Sequence, residues 1–114
     1  MAKRRQRVKD DELTLSEVLE LHEQKWLNSD IRSRHRLAWA EFVQAVAPRL
    51  TVESLRPADI AKYEKHLRLN TFSKASFDRR TACVRAMLSY ALQHRPSSAV
   101  AINELVEKLR TLDC

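Results

Sequence analysis

Arginines crowd two short stretches of this 114-residue chain. Arg32, Arg34 and Arg36 alternate along one, with Ser33 among them. Arg79, Arg80 and Arg85, preceded by Lys74, occupy the other. A guanidinium is a planar fork of donors that matches phosphate oxygens, and it stays charged at physiological pH. The chemistry these groups offer is neutralisation of a polyanion with release of its counterions. From Arg32 to Arg85, twelve Lys/Arg stand against five Asp/Glu. The whole chain has a formal charge of +6 and a pI near 9.7. That balance points to nucleic acid or an anionic surface. No apolar run approaches the roughly 18 residues of a membrane span, so a membrane partner is not expected.

The other reactive groups do not assemble into a catalytic pattern. Tyr63 and Tyr90 fall inside helical patterns, with no activating base or oxyanion donors in view. Cys83 has no Cys or His at ligand spacing, so no metal is expected. The chain has no glycine, which excludes a Gly-rich phosphate loop. A non-enzyme without cofactor or small-molecule substrate is the expectation. Cys83 and Cys114 read as free thiols of a reducing compartment. The opening MAKRRQRVKDDE has no apolar run after its charges, so a secretory signal is not expected and a cytoplasmic location is.

Helices must position the arginines. Zero Gly and three Pro favour an all-α fold, and the length suits one domain. Residues 1–12, basic and then acidic, read as a flexible tail, and 13–112 as one helical domain. Thr14-Leu15-Ser16-Glu17 fits a capping box for a first helix ending near Trp26-Leu27-Asn28, with an acidic outer face of Glu17, Glu20 and Glu23. Ser29 or Asp30 caps a second helix over about Ile31 to Ala47, stopped by Pro48. His35, Trp39 and Phe42 share its apolar face, His35 as a packed residue. Ser33, Leu37, Ala40 and Gln44 form its outer strip, flanked by Arg32 and Arg36 on one side and Arg34 on the other.

Leu50 and Leu55 are expected to tuck inward. Pro57 then opens a third helix with Asp59 in its first turn, Ile60, Tyr63 and Leu67 inside, and Asn70 at its end. Ser76 is expected to cap the fourth and longest helix, which runs to Leu92 before Arg95-Pro96. At 100° per residue, Phe77, Thr81, Val84, Met87, Leu88, Ala91 and Leu92 face a core. Arg79, Ala82, Cys83, Ala86, Ser89 and Gln93 face out, Arg85 lies at the edge, and Arg80 lies nearer the inner face. Ser97 or Ser98 caps a fifth helix carrying Ile102, Leu105, Val106, Leu109 and Leu112.

Small residues in the middle of an outer face, with cations beside them, suit close approach to a grooved polyanion such as the DNA major groove. Arg32, Ser33, Arg34, Arg36, Lys74, Arg79, Arg80 and Arg85 are the candidate DNA-binding residues. Arg80 is also placed to pair with an acid. Base reading would fall to Ser33, Gln44, Arg79 or the 82–89 strip.

Four segments together resemble the core-binding domain of tyrosine recombinases, the phage-integrase family. These are Leu13-Thr14-Leu15 leading to Trp26-Leu27; Ser29 with His35, Trp39 and Phe42; Pro57-Ala58-Asp59-Ile60 with Tyr63; and Ser76-Phe77-Asp78-Arg79-Arg80 with Val84-Arg85 and Tyr90-Ala91. The resemblance covers roughly residues 13–95. His35 stands where the family usually has an aromatic and Thr81 where it has an apolar residue; the family's Asn-Pro linker after the fourth helix is absent. The resemblance implies a SAM-like bundle of four to five helices. It implies that the second and fourth helices lie toward double-stranded DNA, for DNA integration or recombination beside other recombinase protomers. The family's catalytic domain has no counterpart here, and His66-Leu67-Arg68 lacks the H-x-x-R spacing. The chain therefore reads as a non-catalytic piece of a longer recombinase. The alternative is a helical protein-interaction module with a solvated basic surface. A helix-turn-helix regulator is disfavoured because no tight turn joins two short helices.

Overall fold

The computed structural model describes residues 12–25, 29–70 and 73–112, the side chains at 25 and 29–33 excepted. The expected tail over 1–12, apart from Glu12, and the Trp26-Leu27-Asn28 helix end lie outside the described residues. Among the described residues the chain is all-α, a bundle of five helices. They are α1 (Leu15–Lys25), α2 (Ser29–Val46), α3 (Pro57–Asn70), α4 (Lys74–His94) and α5 (Ala99–Arg110). Short 3₁₀ turns at Val52–Ser54 and Pro96–Ser98 lead into α3 and α5.

Helix α1 starts with the capping box its sequence spells. The Glu17 amide donates to Thr14 Oγ1 at 3.0 Å and the Thr14 amide donates to Glu17 Oε1 at 2.9 Å. The Thr14 amide, then the Thr14 hydroxyl and Arg95, hold the Glu17 carboxyl below its ordinary range against the opposing effect of burial. At the start of α3, Asp59 is only 2% exposed. It accepts from the Arg56 amide at 2.8 Å and pairs with Arg49 at 3.1 Å, which satisfies a carboxylate taken out of water.

Helix α4 is the centre of the packing, touching α1, α2 and α5, while α3 lies against α2. The core gathers Leu13, Val18, Trp39, Phe42, Tyr63, Leu67, Phe77, Leu88 and Ile102. Phe42 is the pivot of its aromatic part, 5.1 Å from Trp39 and 4.9 Å edge-on from Tyr63 by ring centroids. The Trp39 indole N–H donates to the Leu15 carbonyl at 2.9 Å, so burying the ring leaves no orphaned donor.

A backbone clasp closes the bundle. Residues 13–15 run antiparallel to 50–52: the Leu15 amide donates to the Leu50 carbonyl and the Val52 amide to the Leu13 carbonyl, each at 2.9 Å. Glu53 spans the same place, accepting from the Leu13 amide at 3.0 Å and from the Ser98 hydroxyl.

Several local expectations change. Helix α4 begins at Lys74 because Ser73, in extended conformation, accepts from the Ser76 amide at 3.1 Å; Ser76 sits inside the first turn. Two serines three residues apart both offer a cap, and the chain uses the earlier. Ser98 occupies the position before α5 but turns its hydroxyl to Glu53 instead of capping. Leu50 is half exposed, since its backbone is committed to the clasp with its side chain turned out, whereas Leu55 is buried. Helix α2 starts at Ser29, two residues earlier than expected, and ends at Val46.

Replacing Glu53 by Ala strands a backbone donor and a buried hydroxyl. The expected loss is about 2 kcal/mol of unfolding free energy, read from urea denaturation, with Glu53→Gln losing less.

Candidate nucleic-acid interface

The neighbours of α4 decide which of its residues meet solvent. Phe77, Thr81, Val84, Met87, Leu88 and Ala91 are buried, as the periodicity predicts. Ala75, Arg79, Ala82, Ala86, Ser89 and Gln93 are exposed. Cys83 is corrected: expected on the outer face, it is only 7% exposed. Helix α2 leans over that edge of α4, an approach the helical wheel cannot register. Burial pushes the Cys83 thiol up against the opposing pull of Arg34, Arg79 and Arg80, so it is a neutral thiol.

Helix α2 presents Arg34 and Leu37 to solvent beside this strip, while its exposed Ala40 and Gln44 line a separate groove with α1. Between the two helices runs a groove of about 370 Å³ lined by Arg34, Leu37, Ala38, Glu41, Arg79, Arg80 and Cys83. Leu37 at its lip is 68% exposed. Arg34 and Arg79 are exposed and make no hydrogen bond or ion pair among the described residues. Arg80 is fastened: its Nε donates to Glu41 at 3.0 Å and a terminal N–H meets the Ser76 hydroxyl. The expected acid partner of Arg80 is therefore Glu41, across the α2–α4 contact.

The other candidates fall elsewhere. Arg36 points to the α1 side and pairs with Glu23 at 2.5 Å, so the acidic face of α1 engages a cation of α2. Lys74 pairs with Asp78 one turn on, at 3.2 Å. Arg85 lies in a separate cleft between α4 and the end of α5. The side chains of Arg32 and Ser33 lie outside the described residues. Of the eight candidates, the structure brings Arg34, Arg79 and Arg80 into one groove. Glu41 in the groove and Arg110 beside Arg85 are additions that sequence reading missed. Neither has a local signal, because both depend on which helices become neighbours.

Tyr63 is fully buried, its hydroxyl has no partner, and burial, then Glu41 and Cys83, push its ionisation far above the ordinary phenol range. Tyr90 stacks at the α1–α4 seam with His22 and His94. No group of three or more His, Cys, Asp or Glu able to hold a metal occurs among the described residues. No helix among the described residues is long and apolar enough to cross a membrane. No family model, curated protein or solved structure matches the chain.

A histidine pair joins α1 to α2. His35 Nδ1 faces His22 Nε2, with ring centroids 4.4 Å apart. One ring donates and the other accepts, so a single proton suits the contact and a second is repelled. Burial, then Arg34, lowers the pKa of His35 below the ordinary histidine value. The unfolded chain therefore binds protons at His35 more readily than the folded one. That contribution to stability is complete above about pH 6.5 and is lost as pH falls through the lower folded value. The melting temperature should drop from pH 7.5 to 5.5, and the drop should flatten in His35→Phe, as thermal unfolding followed by circular dichroism would reveal.

Proposed function

We propose that this chain is the DNA-binding core-binding domain of a site-specific tyrosine recombinase, a SAM-like bundle serving DNA integration or recombination. The observation that carries the reading is the side-by-side pair of exposed strips on α2 and α4, with Arg34 and Arg79 uncommitted at the groove between them. Ala75, Ala82, Ala86 and Ser89 let the α4 backbone approach a base edge or a phosphate closely. Arg34 and Arg79 supply charge at the border of that approach, and Gln93 supplies an amide group able to read bases. The resemblance over residues 13–95 supports the same two helices. Arg32, Ser33, Arg36, Lys74 and Arg85 would flank the contact, while Arg80 would position Arg79 by tying α4 to α2 through Glu41. Phosphate contacts orient the domain without reading sequence. Chemistry would belong to a separate catalytic domain, and assembly would bring further protomers onto the same duplex.

The competing reading is a protein-interaction module. The large exposed apolar residues, Leu37, Leu50, Leu69 and Val100, are distributed over α2, the clasp, α3 and α5. Single exposed apolar residues of that kind are ordinary surface and do not make a docking patch.

The test is fluorescence anisotropy of a labelled duplex of about 30 base pairs, titrated across a range of salt. With about five phosphates engaged, log K should fall against log salt with a slope of roughly −4 to −5. The double variant Arg34→Ala/Arg79→Ala should reduce that slope by about two and weaken binding to every duplex. A slope near zero, or a double variant that binds as well as the parent chain, would sink the reading.

A further inference from the structure

On the far edge of the exposed α4 strip, away from α2, lies a second cleft of about 380 Å³. Lys74, Asp78, Thr81 and Arg85 of α4 line one wall, and Arg110 and Thr111 at the end of α5 line the other. Three cations and one carboxylate thus share a polar cavity. The carboxylate is engaged, since Asp78 pairs with Lys74 at 3.2 Å. Arg85 has no such partner. Its Nε is buried without a hydrogen bond, and the side chain makes no ion pair among the described residues.

The obvious structural role for Arg85 would be to cap the open carbonyls of α5, a common use of arginine at a helix end. The chain meets those carbonyls itself. The Thr111 amide donates to Glu107 and Lys108, its hydroxyl donates to Lys108 at 2.7 Å, and the Leu112 amide donates to Leu109 at 3.2 Å. A charged donor that is partly withdrawn from water and left unpaired is unfavourable. Arg110 on the opposite wall is held only by an exposed pair with Glu107, one helical turn away. Such a pair contributes little and rearranges easily.

We infer that the α4–α5 cleft is a binding site for a phosphate oxyanion, held by the Arg85 fork from within and by Arg110 and Lys74 at the rim. A tetrahedral anion with several charged oxygens can accept from donors converging from two helices, which a single carboxylate cannot do as well. The source of the oxyanion is either free phosphate or the phosphodiester backbone of a duplex. The second source rests on the DNA-binding reading and deepens it. The α4 strip lies between this cleft and the α2–α4 groove, and a helix about 10–12 Å across fills a major groove about 12 Å wide. With α4 in the groove, one strand's phosphates meet Arg34 and Arg79, and the other strand's meet Arg85 and Arg110. Helix α5 then becomes part of the DNA-binding surface.

The side-chain Nε–H signals of arginine in a ¹⁵N-correlated NMR spectrum read the site directly. The Arg85 signal is identified by its disappearance in Arg85→Lys, and Arg110→Gln serves as an exposed variant that leaves the core intact. Sodium phosphate is titrated into the full chain at constant ionic strength against sodium chloride. A saturable shift of Arg85 with phosphate alone, weakened about tenfold in Arg110→Gln, supports the site. No saturable shift, or the same shift with chloride, overturns it. A duplex of about 30 base pairs is then added to the parent chain and to Arg85→Lys. Movement of the Arg85 signal, with weaker duplex binding in Arg85→Lys, assigns the oxyanion to the DNA backbone. Duplex binding that needs Arg34 and Arg79 but leaves Arg85 unmoved overturns the duplex source and leaves free phosphate. Phosphate binding without any duplex binding sustains the cleft while the DNA-binding reading fails.

Discussion

Helix α4 is wrapped by α1, α2 and α5, and a helix enclosed by three neighbours has one side left for anything else. The large residues Phe77, Met87 and Leu88 are spent on the enclosure. The remaining side is built from alanines, a serine and a glutamine, with Arg79 on its border. Because the neighbours fix the rotation of α4, they also fix where that strip points and what flanks it. The groove with α2 and the cleft with α5 are the two edges of a single enclosure.

Formal charge and usable charge differ in this bundle. Arg36, Arg49, Arg68, Arg80, Arg95 and Arg110 each have a carboxylate within ion-pair distance. Some of these join elements, as Arg80 joins α4 to α2, and others lie along a single helix. Besides Arg56, Lys62, Lys65 and Lys108, the cations without such a partner among the described residues are Arg34, Arg79 and Arg85. These three arginines fall along the two edges of the α4 strip. The two arginine-rich stretches of the sequence thus leave uncommitted cations on both borders of one exposed strip, a charge arrangement able to steer a polyanion.

Much of this organisation was legible in the sequence, for local reasons. Five helices, the Thr14–Glu17 box, Pro57 at the head of α3 and the buried face of α4 all follow from periodicity and capping chemistry within a few residues. What escaped depends on contacts between distant segments. Ser73 and Ser76 both offer local caps for α4, and the chain uses Ser73. Cys83 looks exposed until α2 is laid beside it. Arg85 looks like a member of the α2–α4 set until α5 is seen to rise on its side of the helix. The 13–15 and 50–52 clasp is too short to carry a strand pattern at all. Helical periodicity reports which side of a helix is apolar; it does not report which neighbour covers the margins, and the candidate site lies on the margins.

The Glu53 carboxylate reaches Leu13 and Ser98, residues 40 and 45 positions away in the chain. The beginning, middle and end of the bundle are therefore tied at one point, and Arg95 adds a second tie to Glu17 and to the Glu12 carbonyl. Helix α5 sits behind both ties. Its entry at Ser98 and the approach to α1 at Leu13 share one carboxylate, so loss of Glu53 loosens both at once. Such wiring makes the five helices one cooperative unit, rather than a four-helix body with a detachable fifth. It also gives a bundle whose helices are individually local a folding transition that waits on long-range closure.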